Sequence, residues 1–291
     1  MTAPLSAPGT MPPRAPSPVL LVLVGIVSVQ LGAGIAKSLF DSVDPTALAW
    51  LRLVTSAAVL LVWVRPRLRG RSRGDWLVVA GFGLALGTMN WAIYQSFARI
   101  PLGIAVTLEF IGPLTLAVAG SRRARDLLWV ALAGLGVALL GLEPGDLTAA
   151  GIGFALLAGA AWAAYILLSR STGARWPGMD GLAVASTIAA LLLTPAAIAH
   201  TADLGSGRVL LLGALVGLLS SVIPYSCELV ALRSLRPSVF GILMSLEPAA
   251  AALAGWVVLG ETLASVQWAA LLCVIVASTG ATRDWGPEPL A

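Results

Sequence analysis

Residues 18–40 read PVLLVLVGIVSVQLGAGIAKSLF, an apolar run in which Lys37 is the one ionisable side chain. A helix needs about 20 such residues to cross the roughly 30 Å hydrocarbon core of a bilayer, because each residue adds about 1.5 Å. The rest of the chain is similar, since 58% of its 291 residues are hydrophobic and 11% are charged. A soluble protein carries about 25% charged residues. The composition therefore excludes a water-soluble domain and predicts a protein of the lipid bilayer.

Breaks at proline, glycine and charge clusters divide the chain into ten apolar segments. Helices are favoured over a β-barrel, because no stretch alternates apolar and polar residues at strand length. Residues 1–17 are expected to be a disordered tail, and residues 282–291 form a second tail. The sequence thus predicts an all-α polytopic membrane protein with ten transmembrane helices, at 18–40, 45–64, 76–97, 101–120, 127–143, 148–168, 181–200, 209–231, 238–259 and 264–281.

The placement of arginine predicts how the chain threads the membrane. Fourteen of the 18 basic residues lie in the termini and in the loops after the second, fourth, sixth and eighth segments. The opposite loops hold only Arg99 and Arg208, together with several acids that include Asp44 and Glu261. Cytoplasmic loops are enriched in Lys and Arg, so both termini are expected in the cytoplasm. The net positive charge therefore indicates orientation in a membrane rather than nucleic-acid binding.

An internal repeat is suggested by two similar strings, PLTLAVAG at 113–120 and PAAAALAG at 248–255. Five helices per copy is an odd number, so the second copy must enter the membrane from the opposite side. Inverted repeats of this kind are common in secondary transporters. Chance similarity between helices rich in Ala, Gly and Leu is the alternative. The predicted domains are two inverted five-helix repeats, at 18–143 and 148–281.

Five ionisable side chains lie within the predicted helices. Each costs a few kcal/mol or more at the bilayer centre unless it has a partner, a wet cavity or a route to the interface. Lys37 and Glu228 lie near helix ends and can reach the interface. Arg52, Glu109 and Glu247 lie deeper, and the first two are expected to form an ion pair or to line one cavity. A structural ion pair without substrate contact is the alternative for these three residues.

Prolines in the fourth, eighth and ninth helices each leave the carbonyl group four residues earlier without its helical donor. Lipid tolerates such carbonyls only where protein or water satisfies them, so these helices are expected to face a shared polar interior. The prolines are Pro113, Pro224 and Pro248, and the carbonyls belong to Glu109, Ser220 and Met244.

Other classes of protein lack their usual signals. No G-x-x-x-x-G-K-[ST] string for ATP and no H-E-x-x-H string occurs, which argues against an ATP-driven pump and against a zinc enzyme. The chain has one histidine, His200, and two cysteines in apolar runs, Cys227 and Cys273, so neither a metal site nor a disulfide is expected. The pattern favours a gradient-driven transporter over an enzyme, a scaffold or a sensor.

Three strings resemble a known family: QLGAGIAKSLF at 30–40, PLGIAVTLEFIGP at 101–113 and GILMSLEP at 241–248. They look like segments of EamA-domain transporters of the drug/metabolite transporter superfamily, and they are most similar to the threonine/homoserine exporter subfamily. The resemblance extends over about residues 18–281. It implies a ten-helix fold in a bacterial inner membrane and proton-coupled efflux of small amino acids.

We therefore predict a secondary active exporter of small amino acids that works by alternating access and needs no cofactor, metal or nucleic acid. Its partners would be the amino acid, protons and membrane lipid, and the sequence leaves the oligomeric state open. Efflux of a different small solute, such as an amine, a carboxylate or a drug, is the alternative. Glu109 and Glu247 are expected to exchange protons or to bind the substrate's ammonium group, and Lys37 and Arg52 to bind its carboxylate. The candidate site residues are Lys37, Arg52, Asn90, Tyr94, Glu109, Trp162, Tyr165, Tyr225, Glu228 and Glu247; for each aromatic residue, packing between helices is the alternative.

Overall fold

The computed structural model is helical throughout the residues that it describes, which are 17–119, 126–140, 147–200, 203–232, 240 and 243–283. The first six helices are α1 (Pro18–Lys37), α2 (Pro45–Val64), α3 (Arg73–Phe97), α4 (Leu102–Glu109), α5 (Ile111–Ala119) and α6 (Asp126–Leu140). The remaining six are α7 (Ala149–Gly173), α8 (Asp180–Ile198), α9 (Gly207–Gly217), α10 (Ile223–Leu232), α11 (Glu247–Leu259) and α12 (Ser265–Arg283).

The prediction of about ten apolar spans is confirmed. Six helices are long and apolar enough to cross a membrane, and four shorter apolar helices of 10–17 residues accompany them. Several bounds differ from the prediction by a few residues; α7, for example, continues to Gly173 rather than ending at residue 168. The predicted tails lie outside the described residues, except for Ser17 at the first tail and the last residues of α12 at the second. The start of the predicted ninth span also lies outside them.

Side-chain caps fix where several of these helices begin. Asp44 accepts a hydrogen bond from the backbone N–H of Thr46 at 2.7 Å, directly before Pro45 opens α2. Ser72 and Asp75 exchange two such bonds at the start of α3. Caps of this kind satisfy backbone N–H groups that have no partner inside the helix. The polar residues between apolar runs therefore place the helix ends at the ends of the bundle.

Three predicted spans are interrupted rather than continuous. The fourth span divides into α4 and α5 at Phe110, three residues before Pro113. The eighth contains a π-helical turn at Leu218–Val222, directly before Ile223 and Pro224. In the ninth, α11 begins only at Glu247, after a turn at residues 245 and 246. In each case the proline cannot donate to the preceding turn, so the regular helix is broken there.

The two ends of the bundle differ in charge and in packing. We call the end at residues 38–44, 98–101 and 260–264 the acidic end, and the end at residues 65–72 and 174–179 the arginine end. One continuous core fills the half at the acidic end. It contains buried residues from nearly all the long helices, among them Ala36, Leu48, Tyr94, Leu102, Ala155, Val209, Ala254 and Ala270.

Toward the arginine end the core divides into separate clusters. One cluster joins α3 and α8 through Val79, Phe82 and Val184, and a neighbouring one adds α2. Another joins α5, α6 and α12, and a further one joins α1 to α10. Among the described residues, the helices are thus held together at the acidic end and separated into groups at the arginine end.

Candidate functional site

Arg52 is a buried cation near the middle of α2, with 7% of its surface exposed. Its Nη2 donates to the carbonyl oxygen of Ser220 at 2.8 Å, and its Nε donates to Ser221 Oγ at 3.3 Å. The Ser220 carbonyl is the one that Pro224 leaves without a helical donor. The proline thus breaks the helix and also provides an acceptor for the arginine.

The rest of the guanidinium has no acidic partner. An arginine offers five N–H donors, and within the described residues Arg52 uses two of them. No described carboxylate lies within 4.0 Å of its nitrogen atoms. Arg52 and Glu109 therefore do not form the ion pair that was one form of the expectation, whereas the other form, in which both line one cavity, stays a prediction.

Two carboxylates, Glu109 and Glu247, interact with this cation at longer range, and a third, Glu228, interacts with Glu247. Glu247, on α11, interacts electrostatically with Glu228 on α10, with Glu109 on α4 and with Arg52. The structure therefore connects four of the five predicted intramembrane charges, Arg52, Glu109, Glu228 and Glu247, through Glu247. Glu228, which the sequence left open as an interfacial residue, belongs to the same group.

Tyrosines from three helices complete the group. Tyr225 interacts with Arg52, Glu228, Glu247 and Tyr165. The Tyr94 ring lies 5.7 Å from the guanidinium carbon of Arg52, and its hydroxyl interacts with Ser220. We call this set the central cluster: Arg52, Tyr94, Glu109, Tyr165, Tyr225, Glu228 and Glu247.

Close packing of α4 against α11 brings two of the acids together. A Cβ atom on Gly103 would lie 2.8 Å from the Cα of Ala252, so these helices touch backbone to backbone. Glu109 is the last residue of α4 and Glu247 is the first of α11. Both carboxylates therefore stand at interruptions of helices whose spacing is set by a glycine.

Helix α7 covers the break between α4 and α5. A Cβ atom on Gly159 would come within 2.5 Å of the carbonyl oxygen of Glu109, which Pro113 leaves without a helical donor. Trp162, on the same helix, packs edge-on against Phe110 with ring centroids 5.2 Å apart. The structure thus gives Trp162 a packing contact beside the central cluster.

Lys37 lies apart from the central cluster, at the acidic end. Its Nζ is 2.6 Å from Glu261 Oε1 and donates to the carbonyl oxygen of Ile100 at 2.7 Å. The other Glu261 oxygen accepts a hydrogen bond from the Leu102 N–H at 2.9 Å, at the start of α4. We call these four residues the Lys37 latch.

Asn90 lies one helical turn from Tyr94 on α3. Its Nδ2 donates to the carbonyl oxygen of Leu86 at 2.8 Å, whereas its Oδ1 is buried without a partner in the part of the chain that the structure describes. The residue therefore has unused hydrogen-bonding capacity next to the central cluster.

Sequence reasoning missed two contributors. Ser220 was identified only through its freed carbonyl, and its buried hydroxyl was not considered. Glu261 was placed in a loop and not recognised as the partner of Lys37. For Ser220, the signal in the sequence was Pro224, four residues later. For Glu261, the signal was that this acid lies in a loop on the same predicted side of the membrane as the end of α1.

Comparison with known proteins agrees with this architecture. The profile of the EamA-like transporter family matches residues 149–283. The threonine/homoserine exporter RhtA of Salmonella typhimurium (strain LT2) is 41% identical over 276 residues, which are 94% of this chain and 93% of the relative. The exporter of the same name from Escherichia coli (strain K12) is 41% identical over 269 residues, or 91% of each chain.

A solved structure shares the fold, with a TM-score of 0.62 over 92% of this chain and 96% of its own, at 18% identity. Apolar helices around a buried charged cluster define a polytopic membrane transporter. The chain belongs to the EamA-like transporter family. The resemblance drawn from its sequence, including the exporter subfamily, is thereby confirmed.

Proposed function

We propose that this protein exports small amino acids such as threonine and homoserine from the bacterial cytoplasm, by alternating access and in exchange for protons. The observation that carries the proposal is a buried arginine that has no ion-pair partner among the described residues and lies near Glu109 and Glu247, the second of which also interacts with Glu228. An amino acid carries a carboxylate and an ammonium group, so it is complementary to such a pair of charges. The names of the relatives support the same class of substrate.

Arg52 would bind the substrate carboxylate, because its free N–H donors match the two oxygens of that group. Glu109, Glu228 and Glu247 would provide the ammonium site and the proton site. Three acids beside one cation leave an excess of negative charge in a region of low dielectric constant. A proton or an ammonium group would offset part of that excess, and competition of the two for one carboxylate would couple the two flows.

The packing asymmetry supports an assignment of the conformational state. In the part of the chain that the structure describes, a continuous core seals the acidic end, whereas separated clusters flank the site at the arginine end. Such a site would be reached from the arginine end. With the arginine loops in the cytoplasm, this is the state that loads substrate. Both termini would then be cytoplasmic, in the inner membrane.

Two inverted five-helix repeats, 18–143 and 148–281, would supply the alternation. The family profile matches residues 149–283, which nearly coincide with the second of these units. Exchange of conformation between two like halves opens a central site to opposite sides in turn. We assign the central cluster to the boundary of the halves, because Arg52 and Glu109 come from the first and Glu228 and Glu247 from the second.

Flux measurements in liposomes test this proposal. Glu109→Gln and Glu247→Gln keep the shape of the side chain and remove its ability to ionise. If the residue carries the proton, the variant loses threonine flux driven by a pH gradient but retains threonine–threonine exchange at equal pH. If it binds the ammonium group, both activities are lost.

Glu288→Gln, near the C-terminus, is the charge-matched control and should transport like the unmodified protein. Wild-type flux from both site variants would overturn the roles given to these acids. An unmodified protein that moves neither threonine nor homoserine, but moves another amine, carboxylate or drug, would replace the substrate proposal with the alternative stated above.

A further inference from the structure

Two buried hydroxyl groups lie beside Arg52, close enough to interact with each other, but neither makes a hydrogen bond of good geometry to a described residue. They are Tyr94 Oη on α3 and Ser220 Oγ in the π-helical turn. Tyr94 is fully buried and Ser220 is 2% exposed. An unsatisfied buried polar group costs about 1–3 kcal/mol, so a pair of them at one point indicates a site completed by something else.

The guanidinium beside these hydroxyls supplies further donors. Arg52 still has N–H groups that no described residue accepts, and it lies next to the Tyr94 ring. Each hydroxyl can also donate one hydrogen bond. Donors that converge from three helices beside a cation fit an anion, and a carboxylate accepts about four such bonds.

Close packing holds the serine in this position. A Cβ atom on Gly32 of α1 would overlap Ser220 Oγ, so the serine is held directly against the backbone of that helix. Ser28, one turn earlier on α1, donates to the carbonyl oxygen of Leu219 at 2.7 Å. The π-helical turn is thus fixed against α1, and Ser220 cannot move far to find another partner.

We propose that Tyr94 and Ser220 complete the carboxylate pocket around Arg52, with their hydroxyl groups donating to the same carboxylate that the guanidinium binds. This inference takes its substrate, an amino acid, from the proposed function. It adds that Tyr94 and Ser220 make the site prefer a ligand with a carboxylate over one with a neutral group in its place.

Binding measurements with three related ligands test the pocket. Threonine carries both charges, threoninamide lacks the carboxylate charge, and 3-hydroxybutyrate lacks the ammonium group. With the purified full-length protein in detergent, Tyr94→Phe and Ser220→Ala should each weaken the binding of threonine and 3-hydroxybutyrate roughly tenfold, the effect of a lost hydrogen bond to a charged group. Binding of threoninamide, relative to the unmodified protein, should stay within about twofold.

Ser186→Ala is the matched control, because Ser186 is also a buried hydroxyl without a partner among the described residues but belongs to α8. It should leave all three affinities unchanged. Both test variants should unfold at the same temperature as the unmodified protein, or a higher one, because each removes an unsatisfied polar group.

The outcomes separate this inference from the proposed function. Equal loss for all three ligands, or no loss for threonine, would overturn the pocket. If the unmodified protein binds 3-hydroxybutyrate but not threonine, a tenfold loss in both variants supports the pocket while the amino-acid substrate is rejected. If it binds no carboxylate at all, the pocket and the substrate are rejected together.

Discussion

The Lys37 latch joins the end of α1, the start of α4 and the loop after α11 at the acidic end of the bundle. If the protein alternates between two open states, these elements must separate when the site opens toward the acidic end. We predict that Lys37→Gln and Glu261→Gln shift the equilibrium toward that state. The reason is that the ion pair stabilises only the conformation in which the acidic end is closed.

The size of the shift follows from the geometry. Charges 2.6 Å apart attract each other by about 6 kcal/mol at an effective dielectric constant of about 20. Both side chains are only 18% exposed, so the cost of removing them from water offsets much of this attraction. About 1.5–3 kcal/mol remains, which is the usual range for a charge-assisted hydrogen bond. The population open at the acidic end should therefore rise about 10- to 100-fold.

Thiol labelling from the acidic end measures this population. Thr107, two residues before Glu109, is 1% exposed, and we expect it to become accessible when the closed core separates. A Thr107→Cys reporter, with Cys227 and Cys273 replaced by serine, is treated with a membrane-impermeant maleimide. Either latch variant should speed the labelling, because reagent reaches the cysteine from the outer solution more often.

Lys37→Arg retains a charged donor and is the control, for which labelling should remain close to that of the unmodified latch. Unchanged labelling in both Lys37→Gln and Glu261→Gln would refute the reasoning. If these variants also unfolded at lower temperature, the pair would be a structural contact and not part of a gate.

Two further predictions concern the helix interruptions. Gly159→Leu should abolish threonine flux in liposomes and reduce the yield of folded protein, because the new side chain would overlap the carbonyl of Glu109. Gly153→Leu on the same helix is the control, since a Cβ atom there meets no atom within 4 Å, and it should have little effect on either measurement. Pro224→Ala restores a helical donor to the Ser220 carbonyl, which then competes with Arg52. In a binding assay, the affinity of the Pro224→Ala variant for threonine should differ several fold from that of the unmodified protein. An equal affinity would show that the freed carbonyl does not position the arginine.

The number and position of the spans could be read from the sequence because lipid leaves few choices. Apolar runs of about 20 residues must be helical, since no water satisfies their backbone groups. The start of α2 was predicted at the observed residue, since Asp44 and Pro45 form an unambiguous beginning. The end of α1 was predicted three residues late, at residue 40, because the chain turns after Lys37 while its composition stays partly apolar.

The interior of the bundle could be predicted only in part. Prolines identified which carbonyls would lack donors, but not which side chains would reach them. Arg52 and Ser220 are 168 positions apart, and their contact depends on how α2 packs against the π-helical turn. For the same reason, depth along separate helices could not decide whether Arg52 and Glu109 form an ion pair or only line one cavity.

The division of the core was also beyond the sequence. Helices that are apolar on every face give no sign of which face is buried by a neighbour and which faces lipid. The contrast between the acidic end and the arginine end appears only when the packed side chains are seen together.

The presence of one arginine and three glutamates in the central cluster has an electrical consequence. Threonine has no net charge at neutral pH, so under the proposed exchange each proton that entered would carry one elementary charge across the membrane. A membrane voltage of 100 mV contributes about 2.3 kcal/mol to that movement. This energy supports a concentration ratio of about fifty between the two sides, even when no pH difference exists. Export would therefore continue in cells whose surroundings are as alkaline as their interior.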